Sequence, residues 1–154
     1  MKKILQVVVL IGILFACDSR RVYEDYKTID SSGWEKDSLA RFNVPITDTV
    51  KSNNIYIDIR NKGDYPNSNI WLFVNVKAPD GKVLTDTVEY ILAEKSGKWT
   101  GSGIGDLFDN QFKYRNNVIF DKPGVYQFSI QQGMRGDKLE GIHDIGLRIE
   151  TQNK

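Results

Sequence analysis

The sequence has a single cysteine, Cys17, so it cannot close a disulfide within the chain. It also has a single histidine, His143, which leaves little material for a histidine-based metal site. No long segment repeats its apolar residues with the helical period of 3.6. Stability must therefore come from a packed core, and that core must be built from strands.

The chain also has almost no net charge. It contains 21 basic and 20 acidic residues, and without Lys2 and Lys3 the balance is 19 basic against 20 acidic. No strong global field would attract nucleic acid or an anionic membrane surface. Nucleic acid is therefore not an expected partner.

The first seventeen residues predict where the protein goes. Two lysines make a short basic head, and an apolar run from Ile4 to Phe15 follows them. This run is shorter than the roughly 20 residues of a membrane-spanning helix, and its features are typical of a signal peptide. Ala16 directly before Cys17, with Leu14 three positions before it, resembles the site cut by the lipoprotein signal peptidase.

We expect residues 1–16 to be removed, which leaves a mature chain of 138 residues (154 minus 16) that starts at Cys17. The Cys17 sulfur would carry a diacylglycerol and its amine a further acyl chain, and two or more acyl chains anchor a protein stably in a bilayer. Residues 17–21 would be a short tether. An ordinary secretory signal, in which Cys17 is incidental, is the alternative.

The mature chain alternates apolar and polar residues in short segments separated by turn signals. Residues 54–60 show this most clearly, because Ile55, Ile57 and Ile59 share one face. Other strands are predicted at residues 22–29, 39–44, 70–76, 82–92, 125–130 and 142–150, and residues 106–117 are expected to form a short helical turn followed by one more strand.

The pattern predicts an all-β domain over residues 22–150, with a frayed tail at 151–154. The expected fold is an antiparallel β-sandwich of about eight strands. Both a jelly-roll-like and an immunoglobulin-like topology fit this number of strands.

Tryptophans are the most suggestive aromatic residues. Trp71 lies in the most apolar run of the mature chain and is expected in the core or at its edge. Trp99 stands in a glycine-rich loop, residues 97–105. It is either a packing residue or a contact for a sugar or a partner chain.

A second polar loop, residues 131–141, contains Gln132, Met134 and Arg135. Methionine and arginine are enriched at protein contact surfaces, so these three residues are candidates for partner contact. Packing within the loop is the alternative.

No credible active site emerges. His143 lies beside Asp144 in the last predicted strand, and a triad would need a nucleophile next to that histidine. No Gly-x-Ser-x-Gly elbow occurs in the sequence. We expect an exposed or hydrogen-bonded histidine, no catalytic residue, no metal and no cofactor.

Several stretches, in order along the chain, resemble one known family. The most distinctive is Gly141-Ile-His-Asp-Ile-Gly-Leu-Arg-Ile-Glu150, preceded by Gln132-Gly-Met-Arg135. Residues 34–42, 65–73 and 97–103 fit the same pattern. With the site ending in Cys17, this set resembles the GldH-type gliding-motility lipoproteins of the Bacteroidetes.

The resemblance implies a lipoprotein of the cell envelope that serves the gliding machinery and its associated secretion system. It brings no catalytic residues. The leading hypothesis is a non-enzymatic protein, lipid-anchored in the outer membrane, that contacts other envelope proteins. A carbohydrate-binding module that uses Trp99 is the alternative, and a hydrolase built on His143 is the least favoured class.

Overall fold

The computed structural model describes residues 18–152, so the predicted signal peptide and Cys17 lie outside the described residues. Strands dominate this range, and no helical segment within it has the length and hydropathy of a membrane span. The strands are β1 (Arg21–Thr28), β2 (Trp34–Glu35), β3 (Ala40–Ile46), β4 (Asn53–Lys62), β5 (Asn69–Lys77), β6 (Val83–Ile91), β7 (Leu107–Val118), β8 (Gly124–Gln132), β9 (Lys138–Leu139) and β10 (Ile142–Thr151).

The eight long strands form two four-stranded antiparallel sheets. The back sheet has the order β1-β10-β4-β7, and the front sheet has the order β3-β8-β5-β6. Counted along the chain without the short β2–β9 ribbon, these orders are 1-8-3-6 and 2-7-4-5, which is the strand order of a jelly roll. The predicted all-β sandwich is confirmed, and the jelly-roll topology is the one adopted.

Alternation along the strands decides which side chains form the core. In β4, the three isoleucines at 55, 57 and 59 are at most 2% exposed, as predicted. In β10, the inward residues are Ile145, Leu147 and Ile149, which are fully buried. The front sheet contributes Phe42, Val44, Ile46, Ile70, Leu72, Val74, Tyr126, Phe128 and Ile130.

The helical turn expected within residues 106–117 is wrong. Residues 107–117 belong to β7, one edge strand of 12 residues that pairs with β4 from Leu107 to Val118. Two features hide its alternation in the sequence. Asn110 fills a buried, inward position, and its amide donates to the Ile59 carbonyl (3.2 Å) and the Asn61 side chain (3.0 Å). The register also shifts near Ile55, which disrupts the period of two.

Pairing reaches beyond the predicted domain limits by one residue at each end, because β1 starts at Arg21 and β10 ends at Thr151. The Thr151 amide donates to the carbonyl of Arg20 (2.8 Å), and the Gln152 amide donates to that of Ser52 (2.8 Å). Both chain ends of the described range are therefore bonded to the sandwich.

The two ends of the sandwich carry different loops. Because Arg21 pairs with Glu150, the start of the described chain lies at one end, which we call the anchor end. The far end lies roughly 30 Å away, since strands of about nine residues rise about 3.3 Å per residue. The anchor end comprises residues 18–20, 47–52, 78–82 and 119–123, and the far end comprises residues 29–39, 63–68, 92–106 and 133–141.

Candidate functional site

Predicted contact residues meet at the far end of the sandwich. Met134 and Arg135 line a shallow groove of about 660 Å³ together with Trp71. We call it the front groove, and its lining is completed by Pro66, Asn67, Asn69, Gly133, Gly136, Lys138, Leu139 and Glu140.

Trp71 is exposed, which corrects its expected place in or at the edge of the core. It is 39% exposed on the outer face of β5, and Phe73 on the same face is 36% exposed. The inward positions of β5 are taken by the residues between and beside them, Ile70, Leu72 and Val74. Both faces of this strand are apolar, so the sequence alone could not show which face is buried.

The 133–136 turn lies directly against β5. The Gly133 amide donates to the Trp71 carbonyl (2.7 Å), and the Met134 sulfur is 3.3 Å from the Trp71 amide nitrogen. Met134 is half-buried against the core, while Arg135 is exposed. The turn therefore presents a methionine and an arginine beside an exposed tryptophan.

Gln132 is fully buried beneath this turn. Its side-chain oxygen accepts from the Met134 amide (2.8 Å), and its side-chain nitrogen donates to the Gly136 carbonyl (3.1 Å). The side chain thus supports the turn from inside. The sequence predicts Gln132 as a contact residue, whereas the packing shows that Gln132 supports the turn that carries Met134 and Arg135.

Replacing Gln132 with alanine is expected to lower the free energy of unfolding by about 1–3 kcal/mol, because the Met134 amide and the Gly136 carbonyl lose their buried side-chain partner. Hydrogen exchange at the Met134 amide should accelerate more than exchange in the strands. The exposed Arg135→Ala variant is the control and should keep wild-type stability. Equal exchange rates at Met134 in wild type and Gln132→Ala would contradict this role.

Trp99 lies in a neighbouring position at the far end. It is half-buried, and its ring packs against two aromatic neighbours. The distance between ring centroids is 6.4 Å to Tyr65 and 5.8 Å to Phe108. It lines a second groove of about 810 Å³ with Pro66 and Ile91. Trp99 is thus held between aromatic neighbours with one part reaching solvent.

Tyr65 begins the ridge that separates the two grooves, residues 65–67. It is buried, its hydroxyl donates to the Asn69 carbonyl (2.8 Å), and burial raises the pKa of this hydroxyl to about 12. The hydroxyl bond therefore ties the ridge to Asn69 at the start of β5. Pro66 and Asn67 are the residues that both grooves share, and Tyr65 lines the second groove only.

His143 belongs to a polar cluster on the back sheet. Its Nδ1 is 2.7 Å from the buried Asp144 carboxylate, which also accepts from Thr28 (2.8 Å) and Arg60 (2.8 Å). Burial alone would raise the pKa of Asp144, but the hydrogen bonds from His143 and Thr28 and the Arg60 charge hold it below its ordinary value. The carboxylate is thus an occupied acceptor that ties β1, β4 and β10 together.

Metal binding finds no support within residues 18–152, where no group of three or more histidine, cysteine, aspartate or glutamate side chains is placed to hold an ion. Lipidation of Cys17 and partner contact by Trp99, Gln132, Met134 and Arg135 stay predictions.

Known proteins resemble this chain over almost its whole length. Residues 21–149 match the family described as GldH lipoprotein. A gliding motility lipoprotein GldH homolog of Christiangramia forsetii is 45% identical over 149 residues, covering 92% of this chain and 91% of that protein. The gliding motility lipoprotein GldH of Flavobacterium johnsoniae is 35% identical over 148 residues, covering 92% of this chain and 91% of that protein.

Solved structures give only weak likenesses. A family GH115 4-O-methyl-α-glucuronidase is 12% identical with a TM-score of 0.43, covering 89% of this chain and 18% of that chain. A likeness this low carries no argument about function. The sequence matches are decisive: this chain belongs to the GldH lipoprotein family, whose members are gliding-motility lipoproteins of the cell envelope.

Proposed function

We propose that this lipoprotein is a non-enzymatic component of the gliding-motility machinery and its associated secretion system, and that it acts through protein contacts at the far end. The proposal rests on one observation: the start of the described chain, next to the predicted lipid site, and the front groove lie at opposite ends of the sandwich. Asp18, the residue after the predicted lipid site, lies at the anchor end, whereas Trp71, Met134 and Arg135 meet at the opposite end. The lipid would fix the protein to the outer membrane and leave the front groove facing other envelope proteins.

The chemistry of the front groove suits a protein partner. Exposed aromatic side chains, methionine and arginine are enriched at the centres of protein interfaces. Trp71 offers an apolar face, and Arg135 supplies a charged donor at its edge. Lys138 and Glu140 add polar groups around them, as at an interface rim.

A carbohydrate-binding role is the second candidate, and it now rests on Trp71 instead of Trp99. Sugars stack on open aromatic faces, and Trp71 is exposed whereas Trp99 is packed between two other rings. The two candidate functions use the same groove, so they can be separated by what the groove captures.

The test is crosslinking and pull-down of the tagged protein from cell envelopes. Wild type is compared with Cys17→Ala, Trp71→Ala and Arg135→Ala, and Gln127→Ala is the control because Gln127 is exposed on the same sheet outside the groove. We expect Cys17→Ala to leave the membrane fraction. The two groove variants should stay there and lose about tenfold of a crosslinked envelope protein, which corresponds to about 1.4 kcal/mol.

Recovery of the same envelope protein by wild type and both groove variants would overturn the proposal of contact at the far end. Recovery of cell-surface glycan that Trp71→Ala abolishes, with no crosslinked protein, would favour the carbohydrate-binding candidate instead.

A further inference from the structure

We propose that the anchor end of the sandwich lies directly on the lipid bilayer, with Val50 and Ile119 in contact with the membrane interface. The proposal rests on lipidation of Cys17, and it adds to the proposed function a lipid-facing surface with named residues. Three observations support it. The chain is attached to the sandwich at Asp18, the loops at this end carry exposed apolar side chains, and the acidic side chains around them are paired or hydrogen-bonded.

The chain is bound to the sandwich from its first described residue. The Asp18 carboxylate pairs with Arg148 of β10, and the Asp18 carbonyl accepts from the Arg21 amide (3.2 Å). Arg148 is in turn held by Glu24 (2.9 Å) and Glu150 (2.6 Å). Since consecutive Cα atoms are 3.8 Å apart, a lipid on Cys17 leaves almost no free tether between bilayer and domain.

The tips of the anchor end carry exposed apolar side chains. Val50, in the loop between β3 and β4, is 82% exposed, and Ile119, directly after β7, is 58% exposed. Both line one shallow groove of about 1060 Å³ with Arg20 and Lys51. The described lining of this groove contains those two basic side chains and no acidic one, a composition that suits the level of the lipid headgroups.

Acidic residues elsewhere at this end are already engaged. Asp48 pairs with Lys51 (3.6 Å) and also accepts from the backbone amides of Val50 (2.9 Å) and Lys51 (3.0 Å). Asp80 pairs with Lys122 (2.8 Å), whose hydrogen bond lowers the pKa of Asp80 to about 2. Charges at the anchor end are thus largely balanced, so the contact with lipid should be mainly apolar and persist at high salt.

The lipidated full-length protein can test this in vesicles. A thioether on Cys17 leaves no free thiol, so a new cysteine takes a fluorescent label selectively. Val50→Cys and Ile119→Cys are the test variants, and Arg135→Cys at the far end is the matched exposed control. The vesicles contain phosphatidylethanolamine and phosphatidylglycerol with a quencher on the acyl chain, and mass spectrometry verifies the lipid on Cys17.

We expect the labels at 50 and 119 to be quenched by the lipid-borne quencher at least about threefold more than the label at 135. The difference should persist at about 1 M salt, where the Debye length is about 3 Å. Equal quenching at all three positions in protein with a verified lipid would overturn this inference. That outcome would leave the envelope-contact proposal standing, because the pull-down tests it separately.

Discussion

Replacing Phe128 by alanine is expected to lower the free energy of unfolding by about 3–5 kcal/mol, which is typical for a large buried aromatic residue. Phe128 is 1% exposed and pairs with Phe42 on one neighbouring strand and Val76 on the other. Its removal would leave a cavity where the front sheet faces the back sheet. Urea unfolding of the mature chain would measure the loss as a lower midpoint.

The adjacent residue provides the control. Gln127 lies next to Phe128 on β8 but points to the exposed outer face. Gln127→Ala should change stability by no more than about 0.5 kcal/mol. Equal losses in both variants would mean that β8 does not bury the face seen in this structure.

Gly141→Ala is expected to lower the free energy of unfolding by about 2–5 kcal/mol. Gly141 has a φ of +80°, where a residue with a side chain is strained by about 1–2 kcal/mol. An added Cβ would also lie 2.6 Å from the Tyr65 Cα, and such overpacking adds about 1–3 kcal/mol. The same substitution would disturb the bond from the Lys62 amide to the Gly141 carbonyl (2.8 Å).

A second glycine separates these two effects. Gly81 has a φ of +88°, but an added Cβ there has nothing within 4 Å. Gly81→Ala should therefore lose only the backbone contribution of about 1–2 kcal/mol. The excess loss in Gly141→Ala, measured in the same urea titration, reports the contact with Tyr65. No excess would show that the Tyr65 ridge yields to the new side chain.

The Gly141 contact also matters for the proposed function. It fixes the Tyr65 ridge, which both far-end grooves share. A Gly141→Ala chain that still folds should bind the proposed partner more weakly although it leaves Trp71, Met134 and Arg135 unchanged. The Gly141→Ala substitution would then weaken both the stability of the fold and the binding of the partner, although Gly141 is not itself a residue of the front groove.

Strand positions and buried faces followed from the sequence wherever one face of a strand is apolar and the other is polar. The three isoleucines of β4 and the inward residues of β10 are examples, because a period of two assigns each side chain to a face. The ordered motifs also determined the family, which the matches to known relatives confirm.

Tertiary structure decided the features that depend on residues far apart in the chain. The jelly roll requires β10 to lie between β1 and β4, and no local pattern encodes that pairing. Trp71 was misplaced because both faces of β5 are apolar. The first part of β7 was assigned to a helical turn because Asn110 is buried at a core position by partners on another strand. The supporting role of Gln132 likewise depends on a turn folding over it. Local periodicity specifies which side of a strand is buried. Pairing between strands that are distant in the sequence specifies which residues the side chains on each face contact.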